Sequence, residues 1–116
     1  MNDKILRPLK DIQVQAENLL SNEEISPEQL ENFYIFSEEI NSLILKTSKN
    51  ELIVKIINEI QNAELKKVIK NTKTVELFGF DFFGLFRKQS DLLIIKDLIR
   101  FLQSKYASLE LLFRNG

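Results

Sequence analysis

Residues 26–44 read SPEQLENFYIFSEEINSLI, and this stretch decides the fold. Ser26 is a favoured residue for capping a helix N-terminus, Pro27 suits the first helical position, and Gln29 completes a capping box. At about 100° per residue, one side of the helix that follows is apolar and the other is acidic. The apolar side holds Leu30, Phe33, Phe36, Ile40, Leu43 and Ile44. The sequence therefore predicts a surface helix over residues 27–47.

The acidic side of this helix contains Glu28, Glu31, Glu38 and Glu39. Ile35 falls among these acids and is expected to be exposed. Residues 23–45 hold six Glu and neither Lys nor Arg, whereas residues 46–75 hold seven Lys against three Glu. An acidic face can steer a basic partner towards its docking site. The alternative is that neighbouring helices carry complementary surfaces, which is ordinary in soluble bundles and is the favoured interpretation.

Three other stretches have the apolar spacing of helices. In residues 4–21 the steps are alternately four and three, at Ile5, Leu9, Ile12, Ala16 and Leu19. Residues 50–71 follow a second capping-box pattern, Ser48-Lys49-Asn50-Glu51, and are apolar around most of the helix as far as Ile60. A strand over residues 52–57 is the minor alternative, because Ile and Val favour strands.

The last helix is predicted over residues 90–113, with a seam at Ile95, Leu98, Leu102, Leu109 and Leu112 and with Lys105 as its one polar member. Phe101, Tyr106 and Phe113 broaden this seam. Helices of about 20 residues match one another in length, and short connections place successive helices antiparallel. The expected fold is an all-α, antiparallel four-helix bundle.

Composition restricts both the architecture and the chemistry. The 116 residues suit one domain, 1–116, and three Gly with two Pro argue against a turn-rich β fold. The chain has neither Cys nor His, and it has no glycine-rich phosphate loop. Disulfides, thiolate metal sites and the commonest catalytic side chains are thereby excluded. The sequence predicts a protein that is not an enzyme and that binds no metal or cofactor.

Charge and hydropathy also set expectations about location and partners. The net charge of −1 disfavours nucleic acid as a partner. The first residues, MNDKILRP, lack the apolar region of a signal peptide, and no apolar run approaches the ~20 residues that cross a bilayer. A cytoplasmic protein is expected. The abundance of Ile, Lys and Asn indicates an AT-rich genome, which suggests a bacterial source.

The segment VELFGFDFFGLFRK, residues 75–88, departs from the other patterns. Five of the nine Phe of the chain lie within residues 78–86. Gly79 and Gly84 weaken both the helical and the strand periodicity, so an irregular or short-helical connection is predicted over residues 72–89. Burial of each Phe contributes roughly 1.5–3 kcal/mol, so this Phe-rich segment is not expected to remain in water.

Three destinations are open to the Phe-rich segment. It can fold over the bundle as part of the core, which is the commonest fate of Phe. It can dock a partner protein or a second copy of the chain, because exposed aromatic patches mark interfaces. It can also dip into a membrane surface, although Glu76 and Asp81 interrupt it and disfavour that destination.

The resulting prediction is a non-catalytic protein-binding module, of the adaptor, inhibitor or immunity-type regulator class. The predicted apolar anchor consists of Phe78, Phe80, Phe82, Phe83 and Phe86, and Arg87 and Lys88 form its polar rim. Glu28, Glu31, Glu38 and Glu39 supply a steering field. The alternatives are a peripheral membrane-surface protein that uses the same segment, and a homodimer or larger homo-oligomer with a structural role.

Overall fold

The fold is known from a computed structural model, which describes the backbone of residues 3–69 and 81–115 and the side chains of residues 3–69 and 92–115. These residues form four helices, a short helical segment at residues 65–69, and no strand. The helices are α1 (Asp3–Ser21), α2 (Pro27–Thr47), α3 (Glu51–Gln61) and α4 (Asp81–Asn115). The bounds of α1 and α2 agree with the prediction.

The helices pack as the predicted bundle. Both α1 and α3 contact α2 and α4, so α2 and α4 occupy opposite corners. Two side-chain hydrogen bonds give the direction of α4 relative to α1. One joins Gln13 to Glu110, and the other joins Glu17 to Gln103. Since the earlier residue of α1 meets the later residue of α4, the two helices run antiparallel.

The N-terminus of α2 carries the predicted capping box. The backbone N–H of Gln29 donates to the Ser26 hydroxyl at 3.1 Å, and the backbone N–H of Ser26 donates to Gln29 Oε1 at 2.9 Å. A capping side chain of this kind stabilises a helix by about 1 kcal/mol. The seam of α1 is also confirmed, because all five of its predicted core residues are buried.

Helix α3 differs from the prediction at both ends. Its cap is Asn50 and not Ser48, because Asn50 Oδ1 accepts from the backbone N–H of Leu52 at 2.9 Å. The helix ends at Gln61, well before the predicted end at residue 71. Glu64 then adopts φ 59°, and its carbonyl accepts from the backbone N–H groups of Lys67 and Val68 in the helical segment at residues 65–69.

The break after Gln61 follows from the apolar pattern of α3. Its buried residues are Ile53, Ile56, Ile57 and Ile60. An uninterrupted helix would continue this stripe to Glu64 and Lys67, which would bring two charges into the core. The turn shifts the register, so Leu65 and Ile69 are buried instead. Avoiding buried charge thus accounts for the left-handed backbone at Glu64.

Replacing Glu64 by glycine is expected to raise the free energy of unfolding by about 0.5–1 kcal/mol. A side chain with a Cβ atom is strained at positive φ, whereas glycine is not. The same substitution inside α2, Glu39→Gly, is the matched control and should lower stability by about 1 kcal/mol. Urea denaturation of both variants provides the test. Equal losses from both substitutions would contradict the assigned strain.

Helix α4 begins at Asp81, although its predicted start was residue 90. Residues 81–89 of the predicted connection therefore belong to the helix, and residues 72–80 of it lie outside the described residues. Extending an existing helix costs far less than nucleating one, so adjacent residues can join α4 despite Gly84. At ~1.5 Å per residue, the 35 residues of α4 are about 52 Å long.

The core seam of α4 is rotated relative to the predicted one. The buried residues follow alternating steps of four and three, at Ile95, Ile99, Leu102, Tyr106, Leu109 and Phe113. Leu98 and Leu112 were predicted to lie on the seam but are only partly buried at its edge. Lys105 was also predicted there, and instead it pairs with Glu59 of α3. The rotation brings Tyr106 into the centre of the bundle.

Candidate docking surfaces

The predicted anchor residues fall at the limit of the described structure. Phe78 and Phe80 lie outside the described residues. The other predicted residues of this site belong to the backbone of α4, while their side chains are outside the described set: Phe82, Phe83, Phe86, Arg87 and Lys88. Their binding roles stay predictions. The structure does place them on one continuous helix with Leu93 and Ile94.

Large apolar side chains of α4 remain in water just after these residues. Leu93 is 65% exposed and Ile94 is 55% exposed. Ile94 and Phe101 are two turns apart on the same side of the helix, and Phe101 is also exposed. We call Leu93, Ile94 and Phe101 the α4 stripe. The apolar pattern did not identify Leu93 and Ile94 as surface residues, although both fall outside the observed seam.

The C-terminal end of the α4 stripe carries a positive charge. Lys105 Nζ lies 5.3 Å from the centre of the Phe101 ring, within the range of a cation–π contact. The same ammonium group pairs with Glu59, and this hydrogen bond lowers the pKa of the Glu59 carboxyl. Phe101 is thus fixed at the junction of α3 and α4, while Leu93 and Ile94 project from α4 alone.

The predicted acidic surface of α2 is present. Glu28 and Glu39 are exposed, and Glu31 and Glu38 are partly exposed. Ile35 is 50% exposed among them, as predicted. Leu43 was predicted to be in the core, but it is 37% exposed. The helix turns Leu43 outward because Ile40 and Ile44 already occupy the core side.

A shallow concavity of about 470 Å³ lies on this outer side of α2. Its walls include Tyr34, Ile35, Glu38, Glu39, Leu43 and Lys46. A groove of about 230 Å³ adjoins it, between α2 and the break that follows α3. Tyr34 and Glu38 line both hollows, so the two are adjacent. We call the two hollows together the α2 surface.

A buried polar network lies beneath the α2 surface. Tyr106 donates a hydrogen bond to Asn41 Oδ1 at 2.8 Å, and the hydroxyls of Tyr106 and Ser37 hydrogen-bond each other. All three side chains are buried, and Ser37 also lines the groove. Asn41 Nδ2 has no hydrogen-bond partner among the described residues. Ser37 and Asn41 were missed as core residues because an apolar count does not register polar ones.

Burial raises the pKa of the Tyr106 phenol above its ordinary value, and the hydrogen bond with Ser37 only partly offsets this effect. The carboxylate charge of Glu38 raises the same pKa further. The phenol therefore stays protonated at neutral pH and acts as a donor in the network. Its role in this arrangement is to fix the packing of α4 against α2 across the core.

The junction of α1 and α4 is closed by polar side chains. Gln13 Nε2 donates to Glu110 Oε1 at 2.8 Å, and Gln103 Nε2 donates to Glu17 Oε2 at 3.0 Å. The bond from Gln13 lowers the pKa of Glu110, and Arg114 contributes in the same direction. This junction has few polar groups left to engage a ligand, so it is a structural seam rather than a candidate site.

The described residues contain no group of three or more acidic side chains that could hold a metal ion. Within the same residues, no helix is long and apolar enough to cross a membrane. Comparison of the chain with protein-family models, with curated proteins and with solved structures finds no match. The α4 stripe and the α2 surface together carry five of the eight large apolar side chains that are exposed among the described residues.

Proposed function

We propose that this protein is a non-catalytic, cytoplasmic protein-binding module that docks a partner through the N-terminal half of α4. The observation that carries the proposal is the exposure of Leu93 and Ile94 directly after the Phe-rich segment. Covering the part of each side chain that is still exposed contributes roughly 1–2 kcal/mol. Such apolar anchors at the centre of a contact supply most of the affinity of typical interfaces.

The helical backbone from Asp81 supports this proposal. Phe82, Phe83 and Phe86 precede Leu93 on the same helix, so one element carries both groups of apolar residues. A helix that lies in an apolar groove of a partner is a common mode of peptide recognition. In this proposal Arg87 and Lys88 keep their predicted role at the polar rim, and the module acts as an adaptor, an inhibitor or an immunity-type regulator.

The double substitution Leu93→Ser with Ile94→Ser should abolish capture of the partner from a lysate of the native host. Quantitative mass spectrometry is expected to show at least about a tenfold loss, because two anchor side chains are removed. Val14→Ser is the matched control, since Val14 is 54% exposed on α1, and it should retain capture. The melting temperatures of both variants should stay close to that of the wild type.

Two outcomes would contradict this proposal. One is equal capture by wild type and by the Leu93→Ser, Ile94→Ser variant. The other is co-sedimentation with anionic vesicles that the double substitution removes, which would establish a membrane surface as the target. A second variant, Phe80→Ser with Phe83→Ser, extends the test to the Phe-rich segment. Loss of capture at an unchanged melting temperature would assign that segment to docking, whereas a large fall in stability would assign it to the core.

A further inference from the structure

We infer that the α2 surface is a second docking site, and that it takes a basic amphipathic helix of a partner protein. This site shares no residue with the α4 stripe, and Leu102 is the residue of α4 that lines its groove. The inference does not rest on the proposed use of α4. It rests on the shape, the apolar floor and the charge of residues 34–66.

The α2 surface presents apolar side chains that a partner helix can contact. Ile35 and Leu43 are exposed two turns apart on α2, about 12 Å along the helix axis. Tyr34, which is partly buried against the core, separates the concavity from the groove. Ile60 and Leu65 contribute to the lining of the groove on its far side. A partner helix can place apolar residues into both hollows across the Tyr34 ring.

The length of the α2 surface also fits a helix. Its lining runs along α2 from Tyr34 to Lys46, which is about 18 Å at ~1.5 Å per residue. That distance corresponds to about three turns of a partner helix laid alongside α2. Anchors one or two turns apart on such a helix meet Ile35 and Leu43, as in other helix-in-groove contacts.

Charge determines which amphipathic helix fits. The lining contains three carboxylates, Glu38, Glu39 and Glu64, against two ammonium groups, Lys46 and Lys66. Glu38 and Glu39 form no ion pair with another described residue, whereas Glu64 already pairs with Lys67 at 3.8 Å. Exposed Glu28 adds to the negative potential along α2. Because Glu64 is already paired, the negative excess lies on the α2 side, where Glu28, Glu38 and Glu39 face a single ammonium group, Lys46, and it favours a basic partner over an anionic one.

The test uses three synthetic peptides of about 18 residues and fluorescence anisotropy at about 0.15 M salt. The first peptide is a Leu/Lys amphipathic helix, the second is a Leu/Glu helix of the same pattern, and the third is a scrambled Leu/Lys sequence. Wild-type protein should bind the first peptide at least about tenfold more tightly than either of the others. Equal binding of the first and third peptides would overturn the inference, since charge alone would then explain it.

Substitutions locate the site. Glu38→Lys with Glu39→Lys should weaken binding of the Leu/Lys helix at least about tenfold. Glu23→Lys with Glu24→Lys makes the same change of net charge at exposed residues before α2, and it should change the affinity less than about threefold. Ile35→Ser should also weaken binding, because it removes an apolar contact.

The peptide affinities of these variants determine whether the α2 surface is the binding site. Equal weakening by the two charge variants, or unchanged binding by Ile35→Ser, would overturn the α2 surface as the site. The Leu93→Ser, Ile94→Ser variant should bind the peptide like the wild type, which separates this inference from the proposed function. If that variant loses the peptide while Glu38→Lys with Glu39→Lys keeps it, the peptide docks on α4 and the inference about α2 is wrong.

Discussion

Replacing Tyr106 by alanine is expected to lower the free energy of unfolding by about 3–5 kcal/mol, a loss typical of large aromatic side chains in cores. Tyr106 is fully buried at the centre of the bundle. Its removal leaves a cavity and also leaves the hydroxyl of Ser37 and the Oδ1 atom of Asn41 without their partner. Urea denaturation followed by circular dichroism measures the loss. A change below about 1 kcal/mol would contradict the assigned position of Tyr106.

Tyr106→Phe separates packing from hydrogen bonding. This variant keeps the ring and should lose only about 1–3 kcal/mol, the cost of unsatisfied buried polar groups. Burial raises the pKa of the Tyr106 phenol, so the folded state holds the proton more tightly than the unfolded state does. The resulting stabilisation is complete below about pH 10 and is lost as the pH rises further. Above pH 10, the free energy of unfolding of the wild type should therefore fall towards that of Tyr106→Phe by about 1.4 kcal/mol per pH unit. If the free energies of unfolding of the two proteins ran parallel with pH, this account would be contradicted.

Replacing Leu9 by alanine should lower the free energy of unfolding by about 2–5 kcal/mol. Leu9 is fully buried in the middle of α1, which packs against both α2 and α4. Truncation removes apolar contacts in the tightly packed interior, and the surrounding helices can close the cavity only in part. Urea denaturation again provides the measurement.

Val14→Ala is the control for Leu9→Ala, because it shortens an exposed side chain of the same helix. It should change stability by no more than about 0.5 kcal/mol. Similar losses at both positions would mean that α1 does not bury the face assigned to it. The contrast therefore tests the orientation of α1 as well as the energetic contribution of Leu9.

Local patterns predict α1 and α2 well, for identifiable reasons. The apolar steps from Ile5 to Leu19 fit only one face of a helix, and this face is the buried one. The sequence around Ser26 contains a complete start signal, and the reciprocal hydrogen bonds with Gln29 are present. Both cases depend on residues within a few turns of one another. Such local interactions can be recognised without knowledge of the partner helices.

The observed helices differ from the predicted ones where residues distant in the sequence decide which side of a helix is buried or where it ends. In α4, the seams through Leu98 and through Ile99 have similar apolar content, and the position of α2 decides that Tyr106 lies inside. In α3, the sequence does hold a clue that was missed. The isoleucine stripe would continue onto Glu64 and Lys67, and this conflict predicts a break. Neither Gly nor Pro marks the position, so residue-type rules for turns do not detect it.

The candidate surfaces were predictable only in part. The exposure of Ile35 followed from its acidic neighbours, and the structure confirms it. The hollows beside Tyr34 depend on how the turn after α3 approaches α2, which is a tertiary feature. The surface position of Leu93 and Ile94 becomes clear only when the observed seam of α4 is known. The anchor role of the Phe-rich segment stays a prediction, because its side chains lie outside the described residues.

The diagonal arrangement of α2 and α4 has a consequence for stoichiometry. If both proposed sites dock partners, the two partners contact different residues of the bundle, and one copy of this protein would then be able to tether both at once. The yield of such a three-component assembly would depend on the concentration of the tether in a bell-shaped manner. Scarce tether limits the number of assemblies, and excess tether occupies each of the two molecules on separate copies.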